Sequence, residues 1–77
     1  YRPKGVAVAP DGDVWIGDSR IGVIQVFRAT GECLGVLRDG RGQPLRFETP
    51  SGLAFDAGGD LYVAELGAER VVRVRIR

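Results

Sequence analysis

An all-β fold of short antiparallel strands is what this sequence predicts, on three observations. First, the chain contains one hairpin pattern twice. Pro3-Lys4-Gly5-Val6-Ala7-Val8, a turn and Gly12-Asp13-Val14-Trp15-Ile16 return 47 residues later as Pro50-Ser51-Gly52-Leu53-Ala54-Phe55, a turn and Gly59-Asp60-Leu61-Tyr62-Val63. A period of this size marks a propeller or array of stacked units rather than one compact unit. Second, Gly or Pro interrupts every stretch long enough for a helix, and no window has helical periodicity. Third, the 12 glycines are many for 77 residues, as expected where tight turns join short strands.

The first copy predicts four strands. Gly5 to Ala9 mixes small and β-branched residues, and Pro10-Asp11-Gly12 follows as a turn, proline presetting φ and glycine accepting the left-handed position. Val14 to Asp18 and Val23 to Arg28 are the second and third strands. After the turn Ala29-Thr30-Gly31-Glu32, Cys33 to Arg38 is the fourth, completing an antiparallel meander over residues 1–38. Residues 39–49 read as a linker with Gly40, Gly42 and Pro44, of which Leu45 or Phe47 is expected to tuck between the two sheets. Residues 50–77 give three more strands, Gly52 to Asp56, Leu61 to Leu66 and Val71 to Arg77, one fewer than the first copy.

Patterning along the strands predicts that the sheets stack. Val23, Ile24, Val26 and Phe27 make the third strand nearly all apolar, as when both faces are covered. Its counterpart alternates, with Val72, Val74 and Ile76 on one side and Arg73, Arg75 and Arg77 on the other. That arginine face is expected to be wet or to meet an acidic group. Trp15, Tyr62, Phe27 and Phe47 are expected in the core, Trp15 and Tyr62 at equivalent positions.

Composition narrows the chemistry. The absence of histidine removes the commonest general base and metal ligand. Ser19 and Ser51 therefore lack the usual activating base. A single cysteine, Cys33, permits no intrachain disulfide and reads as a small hydrophobe. No apolar run approaches the roughly 18 residues of a membrane span. The sequence opens at Tyr1, inside a repeat, and has no methionine, which points to a piece cut from a longer sequence or built as a piece.

These residues resemble the NHL repeat, a propeller blade. The carriers in the second copy are Phe47, Pro50, Gly52, Leu53, Ala54, Phe55, Asp56, Gly59, Leu61, Tyr62, Val63, Arg70 and Val71. In the first copy they are Pro3, Gly5, Val6, Ala7, Val8, Gly12, Val14, Trp15, Ile16, Asp18 and Ile24. The copies depart from the pattern where Val23 stands for the arginine present at Arg70, where Glu65 stands for the aspartate present at Asp18, and where Ala9 stands for the one at Asp56. The resemblance implies four-stranded blades with the innermost strand first, in rings of about six. The chain would then be an incomplete propeller of about one and three-quarter blades, needing other blades to cover its faces.

Several features invite chemistry. The acidic set Asp11, Asp13, Asp18, Asp56, Asp60 and Glu65 suggests calcium, as in gluconolactonase-like propellers, yet turn capping and backbone hydrogen bonding explain these residues better. Gly40-Arg41-Gly42 lacks the Gly-Lys-Ser/Thr ending and helix of a phosphate loop and reads as linker. Charge is uneven: residues 1–69 carry a net −3, while residues 70–77 carry four arginines and no acid. An arginine strand can meet phosphate or an acidic partner, but charges on an edge strand also discourage edge-to-edge aggregation, and edge protection or pairing between subunits is the preferred reading.

The expected function is a non-catalytic scaffold or protein-interaction module with no cofactor and no metal site. It would be completed by self-association as a homo-oligomer or by further blades of a longer chain, and could take a protein or peptide ligand. Expected partner contacts are Arg20, Arg41, Gln43 and Glu69 on a rim formed by the loops after the second strands and the linker, with Arg73, Arg75 and Arg77 on the terminal strand. Two alternatives are a fragment of a propeller lyase or hydrolase whose metal site lies in absent blades, and nucleic-acid binding through the arginine strand.

Overall fold

In the computed structural model, which describes residues 3–76, the two copies fold into two separate antiparallel sheets. The first has the order β1-β2-β3-β4, with β1 Pro3–Val8, β2 Val14–Asp18, β3 Val23–Phe27 and β4 Cys33–Val36. The second has the order β5-β6-β7, with β5 Pro50–Phe55, β6 Leu61–Glu65 and β7 Arg70–Val74. The strands follow the predicted ones to within two or three residues at each end. A 3₁₀ turn over Leu66–Ala68 was not predicted; three residues are too few to leave a helical pattern in sequence.

The two copies share their register. Ala7 opposes Trp15 and Gly5 opposes Gly17 in the first sheet, just as Ala54 opposes Tyr62 and Gly52 opposes Ala64 in the second. Both innermost strands shift register at the same place, between Pro3 and Gly5 and between Pro50 and Gly52. The fold is an incomplete propeller: two blades stacked face to face, not closed into a ring.

The core lies between the blades. Ala9, Trp15 and Ile24 from the first meet Leu61 and Val63 from the second, with Phe47 of the linker buried among them. Leu53, Phe55, Val74, Ile76, Val26, Leu37 and Leu45 pack around this group, so both expected linker residues turn inward. Trp15 and Phe55 meet edge to face, ring centroids 5.1 Å apart, an arrangement worth about 0.5–1.5 kcal/mol beyond the buried area. Small residues set the inter-blade distance. A Cβ on Gly17 would stand 2.7 Å from the Pro50 carbonyl oxygen, and one on Gly5 would stand 2.8 Å from that of Ser51.

Two expected core aromatics lie elsewhere. Tyr62 and Phe27 are half-buried and outside the core cluster, because each points to the face of its blade that turns away from the other. The same geometry bares Val6 and Val8, 62% and 65% exposed.

Candidate functional site

Of the carboxylates that suggested a metal, Asp11, Asp18, Asp56, Asp60 and Glu65 are held by the chain itself. Asp11, Asp18, Asp39 and Asp56 each accept, on Oδ1, the backbone N–H of the residue two positions on: Asp13, Arg20, Arg41 and Gly58 at 2.8–3.0 Å. Such Asx turns close a loop by copying a backbone hydrogen bond. Asp18 Oδ2 also accepts from Gln25 Nε2 at 3.3 Å, which occupies the carboxylate where the first copy has Val23 in place of arginine. Among the described residues, no group of three or more His, Cys, Asp or Glu side chains is arranged to hold a metal ion.

The second blade keeps its ion pair. Glu65 and Arg70 are opposite residues of β6 and β7, and Arg70 Nε donates to Glu65 Oε1 at 3.0 Å. Glu65 Oε2 accepts the Glu48 backbone N–H at 2.7 Å, tying the linker to the blade. That backbone hydrogen bond, with help from Arg70, holds the Glu65 carboxyl below its ordinary range, against a burial effect that acts upward.

On the outward face of the second blade lies a polar network. Tyr62 Oη donates to Asp56 Oδ2 at 3.3 Å, and Arg73 Nη2 pairs with Asp60 Oδ2 at 2.9 Å. Asp60 Oδ1 also accepts the Ile76 backbone N–H at 3.1 Å. The Arg73 guanidinium sits 6.0 Å from the Tyr62 ring centroid. Arg73 thus meets an acidic group of its own blade, and the hydrogen bond it donates to Asp60 raises its pKa further. Sequence alternation placed Arg73 on this face but did not reveal Asp60 as its partner; the pair joins β7 to the residue just before β6, 13 positions apart in the chain, and the 47-residue match of Asp60 to Asp13 gave no reason to single it out.

The expected contact residues fall into two groups. Arg20 and Glu69 sit in the β2–β3 and β6–β7 connections, which flank linker residues 46–49. Arg46 Nη1 donates to the Ile21 carbonyl there, Phe47 N–H to that of Gly22, and Gly67 N–H to that of Glu48. Arg41 and Gln43 lie in a separate tight turn, where Asp39 Oδ1 accepts both their backbone N–H groups. That turn borders a groove lined by Leu37, Arg38, Leu45, Val74, Arg75 and Ile76, so Arg75 is near the linker turn. Arg77 lies outside the described residues. The linker therefore splits between two surfaces because residues 38–44 fold back on themselves, closed by an Arg38–Pro44 bridge.

Glu69 holds left-handed backbone, φ 51°, at the end of the 3₁₀ turn, and Thr49 does so at φ 53°. For a β-branched residue this conformation is an outlier.

Residues 1–27 match the family model of the NHL repeat. Over that stretch the chain is similar to the NHL repeat. The match covers β1 to β3 of the first blade. The second blade, outside the matched stretch, repeats the register of these strands and shows the same register shift after its proline. No curated protein matches the chain.

Proposed function

We propose that the NHL unit serves as a non-catalytic scaffold or protein-interaction module, completed by self-association or by further blades. The observation that carries this reading is the first blade's outward face, on which Val6, Val8, Val14, Ile16 and Phe27 form a continuous apolar surface with, among the described residues, no second sheet over it. Exposed apolar patches of this kind mark interaction sites. The engagement of Asp11, Asp18, Asp39 and Asp56 in turns, and of Asp60 and Glu65 in ion pairs, supports a structural role for the acidic residues.

A turnover screen tests the non-catalytic part. The chain is expected to hydrolyse neither lactones nor esters with or without calcium, and calcium-dependent turnover would overturn it. Nucleic-acid binding predicts an affinity that falls steeply with salt. The pairing of Arg70 and Arg73 with Glu65 and Asp60 favours the scaffold reading, which predicts no retention of duplex or single strands at physiological salt.

A further inference from the structure

We propose that this chain docks a second copy of itself head to tail, the outward face of one copy's first blade seating on the outward face of the next copy's second blade. The inference rests on the module reading above and specifies which surfaces meet.

On the first blade, cross-strand partners form two rows facing away from the core: Val8, Val14 and Phe27, then Val6, Ile16 and Gln25. Forty-seven residues on, the same rows are Phe55, Leu61 and Val74, then Leu53, Val63 and Val72. In the second blade those rows are the ones the first blade covers, with Leu61 and Val63 fully buried. A surface that the chain itself buries in one copy is bare in the other.

The cover is also present twice. What packs on the second blade is the small-residue face of the first, Gly5, Ala7 and Gly17 with Trp15 among them. Its equivalents, Gly52, Ala54 and Ala64 with Tyr62, face outward on the second blade. The chain therefore ends in a bulky aliphatic face on one side and a small-residue face on the other, and already joins one such pair internally. Two different complementary faces make a heterologous contact. Pairing of like faces would set Val6, Val8 and Ile16 against themselves with no small residues to interdigitate.

The two contacts are not identical. Ala64 stands where Gly17 lets the Pro50 carbonyl approach, so its methyl holds the next blade further off. Tyr62 and Arg73, fixed by Asp56 and Asp60, put polar groups where Trp15 and Val26 stand inside. Both changes make the contact between copies weaker than the one within the chain, hence dependent on concentration.

Sedimentation velocity on the wild-type chain, Val8→Glu and Ala54→Glu tests this. Both positions are exposed. The wild type is expected to reach more than one chain per particle as concentration rises, and each variant alone to remain a single chain. An equimolar mixture of the two variants is expected to double in mass and grow no further, since only one intact pair of faces remains. Val6→Lys with Ala64→Lys should repeat the pattern, and a far-UV spectrum shows which variants are folded. Ala54→Glu that still self-associates while Val8→Glu does not would overturn the proposal in favour of like-face pairing. A wild type that stays a single chain, or folded variants that fail to combine, would overturn it outright. None of these results depends on turnover, which tests the module reading separately.

Discussion

Glu65 and Arg70 face each other across β6 and β7, and the same carboxylate that receives Arg70 Nε also receives the Glu48 backbone N–H. One buried side chain thus fixes the exit of a strand, the entry of the next and the linker from the first blade. Its pKa is lowered mainly by the Glu48 hydrogen bond. A group with a depressed folded pKa contributes stability that is fully present above its unfolded value, an ordinary 4.5, and is lost as pH falls through the folded one. Wild-type stability should therefore decline as pH drops below that value. Glu65→Gln should flatten this acid limb, and denaturant titrations at several pH values between neutral and strongly acidic would show it. Glu65→Ala, which strands the Glu48 N–H, should cost about 1–3 kcal/mol at neutral pH.

Gly17 is the tightest test of blade spacing. Any side chain there drives Cβ into the Pro50 carbonyl at 2.7 Å, a backbone atom that moves only if the blades part. Gly17→Ala should destabilise by about 1–3 kcal/mol, the usual cost of overpacking. Ala64→Gly, at the equivalent position of the second blade, opens no such contact within the chain. It should cost no more than the backbone entropy of glycine, roughly 0.5–1 kcal/mol. Equal losses at the two sites would show that the inter-blade contact does not set the cost.

How legible this was in the sequence differs by element. Strand positions were readable because Gly and Pro punctuate them and because the 47-residue register repeats. Which face of each blade is covered was not: Trp15 and Tyr62 occupy the same place in the repeat, yet only Trp15 has a neighbouring blade, so one is core and the other carries a polar network. The division of the linker was equally hidden. Asp39 organises the turn that takes Arg41 and Gln43 away from Arg20, and a single aspartate before Gly-Arg-Gly gives little sign of it.

Trp15 should tolerate one substitution and not another. Its ring fills the core against Phe55, but Nε1 is buried with no hydrogen-bond partner. An unpaired buried donor costs about 1–3 kcal/mol. Trp15→Phe keeps most of the contact and removes that donor, so it should lose clearly less stability than the roughly 3–5 kcal/mol expected of Trp15→Ala. Thermal or urea unfolding of the two variants decides it, and losses of the same size would mean that the indole nitrogen finds a partner.

Asp60 is expected to act as the clasp for the end of β7. Its two oxygens take Arg73 Nη2 and the Ile76 N–H, which holds the chain beyond the strand against the core side of the blade. Asp60→Ala removes both contacts. The Ile76 amide should then exchange with solvent roughly tenfold faster, the equivalent of about one hydrogen bond to a charged group. Amides of β1 to β3, in the other blade, should be unchanged, and hydrogen exchange read by residue separates this local loosening from global unfolding.

Glu69 offers a way to separate strain from binding. Its left-handed backbone, φ 51°, closes the 3₁₀ turn through a bond from its own N–H to the Leu66 carbonyl. An L-residue pays about 1–2 kcal/mol for that conformation, and glycine pays none of the steric part. Glu69→Gly should therefore raise stability by about 0.5–1 kcal/mol in urea titrations, despite the greater freedom of glycine in the unfolded chain. Loss of stability would mean that the Glu69 side chain makes a contact whose contribution exceeds the strain. A gain would leave the exposed carboxylate without a structural role.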